Sequence, residues 1–121
     1  MKRSILVVED EFWIALDLQG ILESHGYEVM GPAPSVRHAL KLINARLPSA
    51  ALLDVNLGKE MVTPVAEALR DAGVPFAVTS AYHKPEQMGG AVLADAVLLR
   101  KPFSERQILA TVERLLARDV A

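Results

Sequence analysis

The chain has no cysteine. That excludes a disulfide framework and any thiolate metal site, and it fits a reducing cytoplasm. No apolar run approaches the ~20 residues that a membrane-crossing helix needs. The start, Met1-Lys2-Arg3-Ser4, is followed by only four apolar residues before Glu9, too few for a signal peptide. Net positive charge is missing as well. With a formal charge of −2, direct binding of nucleic acid is not expected. Linkers, repeats and low-complexity stretches are also lacking, so the 121 residues are expected to form one domain with no room for a second. No separate output domain is expected. What is there is a chain that is 51% apolar, enough for a substantial core.

The apolar residues alternate between two periods. Ile5-Leu6-Val7-Val8 is a continuous apolar run, as in a strand buried on both faces. Ile14, Leu18, Ile21 and Leu22 recur at helical spacing up to Gly26. A weaker strand covers Tyr27 to Met30. Ser35 can cap a helix carrying Val36, Leu40 and Ile43, which ends before Pro48. Ala50 to Leu53 is a third strand, ending at Asp54. Thr63-Pro64 reads as a cap and a first-turn proline. Val65, Ala68, Leu69 and Ala72 then continue the helix to Gly73. Phe76 to Val78 begins a fourth strand that ends in Thr79-Ser80. A helix is expected from Lys84 to Leu93, weakened by Gly89-Gly90. Ala96 to Leu99 is a fifth strand. Ser104-Glu105-Arg106-Gln107 is a capping box before a helix with Ile108, Leu109, Val112, Leu115 and Leu116 on one face. Strict alternation predicts an α/β domain, a parallel sheet with helices on both faces.

In such a sheet ligands bind at the carboxyl ends of the strands. Polar residues gather there: Glu9 and Asp10 after strand one, Asp54 after three, Ser80 after four, Lys101 after five. Three carboxylates in one crevice repel one another, and one lysine cannot neutralise them, so either their pKa values rise or a cation binds. Oxygen ligands with room for water suit Mg²⁺. Asp54 could then attack phosphorus as a carboxylate nucleophile, with Lys101 and a Ser80 hydroxyl offsetting the oxyanion charge. Each residue alone has a plainer reading. A strand-end acid is often a helix N-cap, which is preferred for Glu11, and a lone Asp after a strand is usually a turn residue. Their joint placement at consecutive strand ends carries the argument. The three histidines have no metal-ligand spacing and are read as surface residues.

Val8-Glu9-Asp10-Glu11, Leu53-Asp54-Val55-Asn56, Pro75 through Ala81 and Lys101-Pro102-Phe103 together resemble the receiver domain of two-component response regulators, over essentially the whole chain. The resemblance implies a flavodoxin-like (βα)5 fold with strand order 2-1-3-4-5. It implies phosphoryl transfer to Asp54 from a phosphohistidine on a sensor histidine kinase or phosphotransfer protein. Such a domain catalyses only its own phosphorylation and dephosphorylation and is not otherwise an enzyme. The resemblance also implies Mg²⁺ held by Asp10, Asp54 and the Asn56 main-chain carbonyl, with Glu9 helping through water, Lys101 on the phosphoryl group, and a cis Lys101–Pro102 peptide. Ser80, five residues after Pro75 and followed by Ala81, matches the switch hydroxyl, with Thr79 as the alternative.

Two departures stand out. The stretch Asn56-Leu57-Gly58-Lys59-Glu60 lacks the usual Met-Pro-Gly-Met-Asp-Gly run, and Leu98 stands where the family has a switch aromatic, for which Tyr82 is a possible substitute. The helical wheel also leaves Phe12, Trp13 and Leu16 outside the buried stripe, close to the crevice. With Pro102 and Phe103 they form the expected docking surface for the histidine donor. Three competing readings remain. A Mg²⁺-dependent aspartyl-phosphate phosphatase commonly has Asp-x-Asp, where this chain has Asp54-Val55-Asn56. A nucleotide or flavin binder needs a glycine-rich loop after strand one. A degenerate receiver that only binds proteins would not need the complete acid, hydroxyl and lysine set.

Overall fold

The computed structural model describes residues 2–80 and 96–118. The helix expected from Lys84 to Leu93 lies outside the described residues, as does Tyr82. The elements are β1 (Ser4–Val8), α1 (Phe12–Ser24), β2 (Glu28–Ala33), α2 (Val36–Ala45), β3 (Ala50–Asp54), β4 (Asn56–Leu57), β5 (Glu60–Met61), α3 (Thr63–Asp71), β6 (Phe76–Ser80), β7 (Val97–Arg100) and α4 (Glu105–Arg118).

β2, β1, β3, β6 and β7 form one sheet in that order, and every neighbouring pair is parallel. Its five strands follow the expected succession 2-1-3-4-5, and the numbering differs because β4 and β5 intervene. Those two short strands form an unexpected antiparallel hairpin outside the main sheet. Gly58-Lys59 is its two-residue turn, and Gly58 takes the positive φ of +60° that such a turn needs.

Alternate residues of the central strands feed two cores. Leu6, Val8, Leu53 and Val78 meet Ala39 and Ile43 of α2 and Val65 and Leu69 of α3. Ile5, Val7, Leu52 and Ala77 meet Leu18 and Leu22 of α1 and Ile108, Val112 and Leu115 of α4. Helices therefore cover both faces. Each fully buried Leu, Ile or Val contributes roughly 1.5–3 kcal/mol. In α1 the buried positions are Ala15, Leu18 and Leu22, so the apolar stripe is turned slightly from the expected one and Ile14 and Ile21 are half-buried at its edge.

The helix ends follow their local chemistry. Ser35 caps α2 by accepting from the His38 amide at 3.1 Å. Ser104 and Gln107 form the reciprocal capping box, Ser104 N to Gln107 Oε1 at 2.7 Å and Gln107 N to Ser104 Oγ at 3.1 Å. After α1, Gly26 with φ +87° lets its amide reach Glu23 O and that of Tyr27 reach Leu22 O. Two expectations are corrected. Glu11 stands at the N-cap of α1 but its side chain makes no capping bond. Thr63 is the first residue of α3, not its cap, which is Val62.

Candidate functional site

Parallel strands all end on the same side of the sheet, and the chain leaves β1, β3, β6 and β7 at one rim. Glu9 and Asp10 follow β1 directly, Asp54 ends β3, Thr79 and Ser80 end β6, and Lys101 follows β7. Glu9, Asp10 and Asp54 each offer a carboxylate oxygen within 4.8 Å of the others. Glu9 and Asp54 are buried and Asp10 is exposed. Lys101 Nζ reaches between the two buried acids, 3.3 Å from Glu9 Oε1 and 3.3 Å from Asp54 Oδ2. The Lys101–Pro102 peptide is cis.

Among the described residues the Lys101 ammonium pairs with both buried carboxylates, and the electrostatics reflect their crowding. Burial, then the hydrogen bond and charge of Asp54, push the Glu9 carboxyl up from 4.5 to about 7, against the Glu11 amide and Lys101. Burial would lower the Lys101 ammonium, but Asp54 and then Glu9 outweigh it and raise its pKa. Glu9 Oε2 accepts from the Glu11 amide at 3.1 Å. Glu9 Oε1, fully buried, has no hydrogen-bond donor among the described residues, its approach to Lys101 being an ion pair only. A buried, underprovided oxygen beside two further carboxylates is a donor set for a hard cation.

Thr79 and Ser80 are both buried at the end of β6. Thr79 pairs in register with Asp54, and the Ser80 carbonyl accepts from the Lys101 amide at 3.0 Å. The structure thus seats both hydroxyl residues beside the crevice. Asn56 opens β4, two residues beyond Asp54. Leu98, at the place of the family's aromatic, is half-buried and packs against the core on the α2 and α3 side.

Beside the crevice the polarity is reversed. Phe12 and Trp13 are 66% and 73% exposed, packed edge to face with centroids 5.1 Å apart, and Leu16 is also exposed. A groove of about 620 Å³ runs from Trp13 and Ile14 to Lys101, Pro102 and Phe103. A smaller one, about 290 Å³, lies between Glu9, Asp10, Phe12, Leu16, Pro32 and Pro34. The residues that sequence reasoning missed are Gly58 and Glu60 of the hairpin. A Cβ on Gly58 would stand 3.4 Å from Asp10 Oδ2, and Glu60 Oε1 accepts from the Val36 amide at 3.3 Å. A two-residue Gly-Lys turn between Leu57 and Glu60 was the available signal.

The family model for the response regulator receiver domain matches residues 5–113. The phyllosphere-induced regulator PhyR of Methylorubrum extorquens is 32% identical over 96% of this chain and 44% of its own length. The alkaline phosphatase synthesis transcriptional regulatory protein PhoP of Bacillus subtilis is 35% identical over 98% of this chain and 50% of its own. The chain thus spans about half the length of these curated relatives. Among solved structures, PhyR from Brucella abortus superposes with a TM-score of 0.83 at 29% identity, over 98% of this chain and 49% of that one. A response regulator from Chloroflexus aurantiacus superposes at 0.85 and 27% identity, over 98% of this chain and 100% of that one. Sequence and fold agree along nearly the whole length: this chain belongs to the response regulator receiver domains of two-component systems.

Proposed function

We propose that the crevice takes a phosphoryl group onto Asp54 from a phosphohistidine and that the modification acts as a switch. The observation that supports this reading is the group of three carboxylates within 4.8 Å, with Lys101 Nζ 3.3 Å from both Glu9 and Asp54. In the transfer an Asp54 oxygen forms a bond to phosphorus as the donor's N–P bond breaks. The electron pair of that bond stays on the leaving imidazole nitrogen. Lys101 offsets the charge of the phosphoryl oxygens, and the Ser80 hydroxyl, or that of Thr79, donates a hydrogen bond to one of them. Mg²⁺, held by Asp10, Asp54, the Asn56 carbonyl and, through water, Glu9, would supply further charge compensation when bound. The domain catalyses this transfer and its own dephosphorylation and nothing else.

The donor would be a sensor histidine kinase or a histidine phosphotransfer protein of the cytoplasm. Phe12, Trp13 and Leu16 would meet its helices, and Pro102 and Phe103 would complete the surface. Trp13→Ala is expected to slow transfer from the cognate donor roughly tenfold while sparing a small phosphoryl donor. Equal slowing with both would place Trp13 in the fold or the reaction instead.

The reading is tested by incubation with acetyl phosphate and Mg²⁺, following intact mass and free phosphate together. A single phosphoryl adduct is expected on the wild type and none on Asp54→Asn, a nearly isosteric change. Continuous phosphate release without an adduct would indicate a phosphatase. No reaction would indicate a domain that only binds proteins.

A further inference from the structure

Glu60 has no place in the reaction just described, yet its side chain ties the segment after β3 to a distant helix. Its Oε1 accepts from the Val36 amide, 24 residues away in sequence, at 3.3 Å. Val36 is the first residue of α2, so its amide is one of the helix-start donors with no partner inside the helix. Ser35 satisfies another of them, that of His38. α2 has no acidic residue in its own first turn to take that amide. Glu60 supplies the missing acceptor from across the chain.

At its other end the tether holds the β4–β5 hairpin. Leu57 pairs with Glu60 and Asn56 with Met61. Leu57 and Val62 are buried in the core beneath α2 and α3. The Val62 amide closes the base of the hairpin on the Val55 carbonyl at 3.3 Å, one residue from Asp54. The Gly58 turn lies beside Asp10: a Cβ built on Gly58 would stand at van der Waals distance from Oδ2. The hairpin is therefore fixed at its base by the core and along β5 by α2, with its turn beside Asp10.

We infer that Glu60 is a positioning residue. By holding the Val36 amide it keeps the hairpin against Asp10, so the first turn of α2 and the acidic crevice move together. Only the cation part of the test rests on the receiver reading.

Amide exchange of the full chain, read residue by residue by NMR without any divalent cation, tests the tether. Glu60→Ala is expected to speed exchange at Val36 and at Val62 alike, each by roughly fivefold, about the worth of one hydrogen bond. Glu60→Gln keeps an acceptor oxygen and is expected to stay within about twofold of wild type. Titration with Mg²⁺ alone should then show roughly threefold weaker binding for Glu60→Ala and recovery in Glu60→Gln. Faster exchange at Val36 with none at Val62 would make Glu60 a helix cap and overturn the proposal. So would a Gln variant that behaves like the Ala variant, since charge and not the hydrogen bond would then be acting. If the wild type binds no Mg²⁺, that outcome counts against the metal reading, and the cation-free exchange decides the tether.

Discussion

The two ends of the sheet handle buried polarity in opposite ways. At the amino end, Ser4 and Ser49 satisfy each other: the Ser4 amide donates to Ser49 Oγ at 3.2 Å, and the Ser49 amide meets Ser4 O at 2.8 Å and Ser4 Oγ at 3.3 Å. At the carboxyl end, Glu9 and Asp54 are buried around the Lys101 ammonium, and among the described residues Glu9 Oε1 has no hydrogen-bond donor. Burying a charge without full compensation destabilises a fold. The same strands could have ended as quietly at this rim as at the other. An arrangement that works against stability at one end only is what a binding and reaction site looks like.

The contrast can be sharpened by removing charge where it is crowded. Asp10→Ala is expected to weaken Mg²⁺ binding at least about tenfold, since few protein oxygens contact such an ion. It should also raise the melting temperature of the metal-free chain by relieving repulsion among the carboxylates. A metal-free melting temperature that is unchanged or lower would break the contrast, because the acidic rim would then carry no strain.

Glu9 gives the same strain a pH dependence. Its carboxyl sits at about 7 in the folded chain against 4.5 ordinarily. A raised acid pKa means that folding favours the protonated form. The contribution is therefore complete below the ordinary value and is lost as pH rises through about 7. In metal-free buffer this amounts to about 3 kcal/mol of unfolding free energy. Glu9→Gln imitates the protonated acid and should flatten the slope, matching wild type at about pH 5 and exceeding it at about pH 8 in denaturant unfolding. Parallel slopes for the two proteins would remove Glu9 from the account.

At the quiet end the expected effect is smallest. Ser49→Ala should lower stability by about 1 kcal/mol through the lost acceptor for the Ser4 amide. Mg²⁺ affinity and phosphorylation should stay as in wild type. A change in either would mean that the two ends are not independent.

Much of this was legible from residue order. Ile5 through Val8 and Ala50 through Leu53 are unbroken apolar runs, and only a strand with both faces covered accommodates them. Each is followed by its acid, so locating the strands also located Glu9, Asp10 and Asp54. The Ser104–Gln107 capping box was readable because both partners lie within one turn. β2 was harder. It extends to Ala33 through Gly31 and Pro32, residues that usually end strands; at the edge of the sheet a missing donor is tolerated. The hairpin was missed because Asn56 through Glu60 was read against the family's usual loop and not for its own turn. The Glu60–Val36 bond joins residues that no local pattern connects, and only the folded arrangement brings them together.

The claim that joins these observations is that Asp54 is the phosphoryl acceptor. Reduction with borohydride after treatment with acetyl phosphate and Mg²⁺ tests it most directly, because an acyl phosphate is reduced to an alcohol where a free carboxylate is not. Peptide sequencing by mass spectrometry then locates the reduced residue. Homoserine at position 54, absent without the phosphoryl donor and absent from Asp54→Asn, is the predicted result. Reduction at another residue, or none in a chain that has gained a phosphoryl group, would contradict it.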